Sequence, residues 1–131
     1  MLGNVAPTDE IVVADLEAGI GTMTRMSEKG VEAVLVVVEA TPKSLEVGAR
    51  AAALAEEKSL GRVIVVANRV RGEDDLEVIR SVFPSQEVVS VPDDPAIVAA
   101  DRAGVAPLDA SPDAPAVRVL VGLGERLLEL A

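Results

Sequence analysis

The sequence predicts an α/β fold: a mostly parallel sheet of about four strands with helices on both faces. Three observations carry that prediction. Apolar runs of strand length alternate with longer amphipathic stretches along the 131 residues, the order expected of right-handed βαβ crossovers. Half of the residues are hydrophobic and Phe83 is the single aromatic, a β-branched, aliphatic supply that suits strands buried on both faces. The first apolar run, Ile11-Val12-Val13-Ala14-Asp15, leads into Leu16-Glu17-Ala18-Gly19-Ile20-Gly21. It would deliver a carboxylate and a glycine loop to the carboxyl edge of the sheet, where open α/β sheets bind ligands.

The elements follow in order. Residues 1–10, with Gly3, Asn4 and Pro7, read as an extended lead-in. Strands are expected over Ile11–Asp15, Val34–Glu39, Val63–Asn68 and Glu87–Val91. Thr41-Pro42 is a helix cap followed by proline at the first helical position; the Ala-rich stretch Ser44–Leu60 continues that helix, and Gly61 stops it. Glu73, Asp74 and Asp75 put negative charge where the macrodipole of the next helix favours it. Its inner face is read as Leu76, Ile79, Val82 and Phe83. Asp94-Pro95 opens a short helix through Arg102, closed by Gly104. After a Pro/Asp/Ala-rich connection, Val105–Pro115, a last amphipathic helix would bury Val117, Leu120, Val121, Leu123, Leu127 and Leu128. No repeat, low-complexity tract or second domain is visible, so residues 1–131 read as one domain.

Composition excludes several kinds of chemistry. With no cysteine and no histidine, disulfides, thiolate nucleophiles, the usual zinc sites and His-based acid/base schemes are ruled out. Net charge is −10, and only Lys29, Lys43 and Lys58 among the twelve cations are lysines. So acidic a surface repels nucleic acid, although a small nucleotide carrying Mg²⁺ remains compatible with it. No apolar run approaches the roughly 20 residues that span a bilayer, and no basic-then-apolar start is seen, so membrane insertion is not expected and the chain reads as cytoplasmic.

Four stretches in register resemble the deviant P-loop ATPases of the MinD/ParA group (SIMIBI class), and within it the CooC-like maturation ATPases. Val12-Val13-Ala14-Asp15-Leu16-Glu17-Ala18-Gly19-Ile20 is similar to the Walker B strand and switch II loop. Glu39-Ala40-Thr41-Pro42-Lys43-Ser44-Leu45 resembles the turn and helix start after the next strand. Val65-Val66-Ala67-Asn68-Arg69-Val70 is similar to the N-R segment that contacts the base. Val91-Pro92-Asp93-Asp94-Pro95, with Ala99-Ala100-Asp101-Arg102-Ala103-Gly104, resembles the loop over the adenine and the helix behind it. The resemblance implies a Rossmann-like three-layer sandwich, a truncated P-loop NTPase fold, with ATP or ADP and Mg²⁺ as ligands. It covers the carboxyl-terminal half of such a protein. The phosphate-cradling G-x-x-x-x-G-K-[ST] loop occurs nowhere in the sequence, and the CooC-like metal-binding cysteines are missing.

By that resemblance Asp15 would hold Mg²⁺ through water, and Gly19 would present its backbone N–H to a terminal phosphate. Asn68 would meet the adenine edge with its donor and acceptor, Arg69 would flank the base or pair with a carboxylate, and Pro92 and Asp93 would shape the pocket through backbone groups. Each residue also has a plainer reading. Asp15 can end a strand and bond its own turn, Gly19 can serve a tight turn, Asn68 can form a turn, and Pro92 and Asp93 can end a strand and cap a helix. No catalytic constellation is legible, and the Glu56, Glu57 and Lys58 charges read as a solvated helix face.

In the resembled group the P-loop strand lies between the Walker B strand and the one after it. Ile11–Asp15 would therefore either pair directly with Val34–Glu39 or leave an open edge that another chain fills. The expected partner is a second copy, giving a homodimer or larger assembly, or a chain that carries a P-loop. Hydrolysis by this chain alone is expected to be negligible without P-loop amides and lysine. An acidic interaction or regulatory module that kept the fold and lost nucleotides is the alternative, and a fragment of a longer gene product is a third.

Overall fold

The computed structural model describes residues 11–16 and 30–130. Gly19, with the rest of the Glu17–Gly21 loop and the lead-in over residues 1–10, lies outside them. Three strands form a parallel sheet in the order β1-β2-β3: β1 is Ala33–Val38, β2 Arg62–Val70 and β3 Glu87–Pro92. The helices are α1 Pro42–Glu57, α2 Glu73–Val82, α3 Pro95–Ala103, the short α4 Pro107–Ala110, and α5 Pro115–Leu130. This is the α/β architecture with helices on both faces that the alternation predicts.

The central strand shows why the run Val63–Ala67 is so uniformly apolar. It pairs with β1 in the register Val36↔Val65 and with β3 in the register Val65↔Val88, and its five residues are buried, as a parallel strand covered on both faces requires. Alternate side chains feed two cores. On one face, α1 and α2 pack Leu45, Ala52, Ala55, Leu76, Ile79 and Phe83 against Val36, Val38, Val63 and Val65. On the other, α5 packs Ala116 and Leu123 against Ile64, Val66 and Val91.

The expected strand Ile11–Asp15 is not formed, so the sheet has three strands among the described residues, not four. Residues 11–16 have no regular structure; Ile11, Val12 and Val13 are exposed at 69%, 51% and 87%, and only Leu16 packs against the first core. The run has strand composition but no neighbour among the described residues supplies its hydrogen bonds, and without pairing strand propensity does not make a strand. β1 pairs with β2 alone among the described residues. Leu35 and Val37, on the face of β1 that α5 does not reach, stay exposed.

Helix boundaries follow local chemistry. The Thr41 hydroxyl accepts from the Ser44 N–H at 3.3 Å, and the Ser44 hydroxyl accepts from the Glu39 N–H at 2.9 Å. The stop of α1 falls earlier than Gly61. Ser59, at φ +50°, takes the left-handed position, while the Leu60 N–H donates to the Ala55 carbonyl and the Ser59 N–H to that of Glu56, closing a Schellman turn. Gly61 serves another purpose, since a Cβ there would overlap the Val31 carbonyl where β1 and β2 begin. Gly48 lets α1 lie close on β1, because a Cβ would run into the Val38 side chain.

Two apolar faces are narrower than periodicity suggests. In α2, Leu76 and Ile79 are buried, as is Phe83 just beyond it, but Val82 is exposed. In α5 the buried stripe is Ala116, Val117 and Leu123, with Val119, Leu127 and Leu130 packed beside it; Leu120, Val121 and Leu128 face out. The helix lies on the β2–β3 strip of a three-stranded sheet, which is too narrow to cover its full apolar face. At its far end Arg126 hydrogen-bonds the Glu87 carboxylate through both guanidinium nitrogens, and Arg62 joins the same carboxylate at 3.1 Å. The hydrogen bond from Arg126 holds the Glu87 carboxyl below the ordinary carboxylate range. The short helix α4 sits inside the expected connection Val105–Pro115; Pro107 at its first position was the available signal.

Candidate functional site

The carboxyl ends of the strands meet at an irregularity. Ala67 pairs with Ser90 and Val70 with Pro92, so β2 spends one residue more than β3 over this stretch. The extra length is a bulge at Asn68-Arg69, with Arg69 at φ +55° in the left-handed region. A non-glycine residue rarely sits there, and bulges re-aim side chains beside binding sites. Here the bulge places the Arg69 guanidinium between two strands' ends. Its Nη1 lies 3.4 Å from Glu39, which follows β1, and its Nε lies 3.6 Å from Asp93, which follows β3. Arg71 reaches the other Asp93 oxygen at 3.9 Å. All of these groups are about half exposed or more, so the pairs add little stability; what they do is fix charge along the edge.

Beside this row opens a cleft of about 410 Å³. Arg69 and Asp93 form one side. The other is the first two turns of α3, from Asp94 and Pro95 through Val98 and Ala99 to Arg102. Positions 95, 98, 99 and 102 share one helix face, which gives the cleft an apolar wall with a cation at its end.

Asp94 is the one buried polar side chain among the described residues. Its Oδ1 accepts from the Ala96 N–H at 3.0 Å and caps α3; its Oδ2 accepts from the Ala116 N–H at 3.0 Å, in the first turn of α5. One carboxylate therefore satisfies orphan donors of two helices. The Asp93 N–H donates to the Val70 carbonyl at 2.9 Å, which fixes the residue opposite the bulge.

The sequence-derived site is thus partly assembled. Arg69 and Asp93 line the cleft. Asn68, half-buried, and Pro92, paired with Val70, form the backbone beside it. Asp15 is exposed and lies in the irregular segment. No group of three acidic residues that could hold a metal occurs among the described residues. Asp94 and Arg102 also line the cleft, and Glu39 pairs with Arg69 beside it; none of the three is among the residues the sequence singles out for the ligand. Glu39 carried the same signal as Asp15, an acid closing an apolar run. The Asp94–Ala116 contact spans 22 positions and had no local signal.

A parallel sheet with helices on both faces and a cleft at its carboxyl edge defines a Rossmann-like α/β domain. No protein-family model matches the chain, but curated relatives do. An uncharacterized ATP-binding protein of Methanocaldococcus jannaschii is 35% identical over 78 residues, 60% of this chain and 30% of the relative. The carbon monoxide dehydrogenase accessory protein CooC of Rhodospirillum rubrum is 32% identical over 104 residues, 79% of this chain and 40% of the relative. The chain is a relative of CooC and of this ATP-binding protein, as the four stretches suggested. It spans 30% and 40% of their lengths. Among the described residues no helix is long and apolar enough to cross a membrane.

Proposed function

We propose that this chain binds the base of an adenine nucleotide at the carboxyl edge of its sheet, as the Walker B, switch II and adenine-loop part of a CooC-like ATPase. The observation that carries the reading is the bulge at Asn68-Arg69 facing α3 across a 410 Å³ cleft. It brings the N-R segment and the Pro92-Asp93-Asp94 loop to one place, as a shared ligand requires. Asn68 supplies a donor and an acceptor for the base edge, Arg69 flanks the ring, and Pro92 and Asp93 shape the rim. Because the protein's one aromatic, Phe83, is buried in the other core, a ring in the cleft would rest on guanidinium and aliphatic groups. Asp15 and Gly19 are assigned to Mg²⁺ and to a terminal phosphate on the resemblance alone. The name of the Methanocaldococcus jannaschii relative, an ATP-binding protein, supports nucleotide binding; hydrolysis by this chain alone is taken to be negligible.

Titration calorimetry with ATP and ADP, with and without Mg²⁺, tests the reading. Binding tighter than millimolar that is lost in Asn68→Ala is the expected result; no heat from either nucleotide would leave the acidic interaction module as the better account. The outer edge of β1, unpaired among the described residues, supports a companion proposal. A second copy, or a chain bearing a P-loop, pairs there. Light scattering at micromolar concentration that shows a strict monomer would remove the homodimer, and absence of Mg²⁺-dependent turnover with the P-loop-bearing chain would remove the split enzyme.

A further inference from the structure

Resting on the reading that the cleft takes a purine base, we propose that Asp93 decides which purine, and that Arg69 and Arg71 keep it from selecting guanine. A carboxylate has acceptors only. The Watson–Crick edge of guanine presents two donors side by side, N1–H and the N2 amino group, so a free carboxylate at a base site matches it in a bidentate pair. The adenine edge presents the N6 amino donor beside the N1 acceptor. A carboxylate can satisfy one of these and repels the other.

The structure places such a carboxylate at the cleft and then occupies it. The backbone of Asp93 is anchored at the cleft, since its N–H is bonded to the Val70 carbonyl at 2.9 Å and its neighbour Asp94 is held between two helices. Its two oxygens face two different guanidiniums, Oδ1 toward Arg69 at 3.6 Å and Oδ2 toward Arg71 at 3.9 Å. Arg69 is itself steadied from the opposite side by Glu39 at 3.4 Å, on a backbone that the bulge holds in the left-handed region. These half-exposed pairs contribute little to folding. Their effect is on recognition: each carboxylate oxygen faces a guanidinium that offsets its charge, which weakens its pull on the two guanine donors and its repulsion of the acceptor at adenine N1. Asp93 is then a specificity-determining residue, and Arg69, Arg71 and Glu39 position it.

The test is the ratio of ADP to GDP affinity, measured on the full chain by backbone-amide NMR titration to about 10 mM ligand. The wild type is expected to favour ADP. The double variant Arg69→Ala/Arg71→Ala should move the ratio toward GDP by about tenfold or more, the discrimination that one bidentate base contact supplies. Adding Asp93→Asn should cancel that shift. Using a ratio separates selectivity from a general loss of affinity when Arg69 is removed. Should the double variant fail to fold, Arg71→Ala alone, at an exposed position outside the cleft lining, is expected to shift the ratio in the same direction by a smaller factor. A wild type that favours GDP, or a ratio that stays within about twofold in the arginine variants, overturns the proposal while leaving nucleotide binding in place. Failure of the wild type to bind either nucleotide overturns both.

Discussion

Asp94→Ala tests how α5 is held to the sheet. The substitution removes two acceptors at once, the cap on the Ala96 N–H and the partner of the buried Ala116 N–H, each at 3.0 Å. Loss of an N-cap costs about 1 kcal/mol, and a buried N–H left without a partner costs about 1–3 kcal/mol more. The sum, about 2–4 kcal/mol, is a large share of the roughly 5–15 kcal/mol that stabilises a domain. It corresponds to a fall in Tm of about 10 °C for a chain of this length. Urea unfolding followed by far-ultraviolet circular dichroism is the assay, with the slope m expected to match that of the wild type. Asp94→Asn should lose less than Asp94→Ala, because one acceptor survives while the amide NH₂ opposes the other N–H. Asp93→Ala, which removes only long, half-exposed ion pairs, should unfold almost as the wild type does. A loss below about 0.5 kcal/mol in Asp94→Ala would refute the claim that this carboxylate joins the two helices.

Gly48→Ala should destabilise by about 1–3 kcal/mol despite the better helix propensity of alanine, because the added methyl meets the buried Val38 side chain; a stabilised variant in thermal melts would contradict that packing. Ser59→Gly should stabilise by about 0.5–1 kcal/mol, since glycine takes the left-handed position without the Cβ penalty, and a urea midpoint that falls would count against it. Glu87→Gln tests the tie from Arg126. The carboxyl of Glu87 is lowered in the folded state, so its stabilisation is complete above the unfolded carboxylate range and is lost as pH falls through the folded value. The variant should therefore unfold more readily than the wild type at pH 7, and the difference should begin to shrink only as pH falls below about 4 and go on shrinking in stronger acid; a gap that stays constant in acid would exclude this origin.

Much of this architecture is written locally. The runs that became β1, β2 and β3 are β-branched and bounded by turn signals, and Thr41-Pro42, Asp94-Pro95 and Gly104 mark helix ends where the structure has them. Ile11–Asp15 carries an equally good strand pattern and failed, because a strand is a property of two segments and its partner is not encoded in its own residues. The exposed side of α5 failed for a related reason: periodicity reports that a face is apolar, not how wide a surface lies beneath it. At the cleft, Asn68 and Arg69 were recognisable as a pair. That they form a bulge with Arg69 at positive φ depends on the mismatch in length between β2 and β3, which no single segment contains.

The attachment of α5 makes the two faces of the sheet unequal under stress. The face bearing α1 and α2 is covered by connections between neighbouring strands, which cannot leave while the strands stay paired. Among the described residues the opposite face is covered by α5, with Ile97 of α3 beside it, and α5 is pinned by Asp94 near its start and by Glu87 near its end. This helix can lift away as a unit while the sheet persists, a partial unfolding with its own free energy. Native-state hydrogen exchange should show the α5 amides exchanging together and ahead of those in β2; exchange of both at one common free energy would rule such opening out. In the opened form Ile64, Val66 and Val91 are bared to water, and the Val105–Ser111 stretch becomes the place where a protease would cut first.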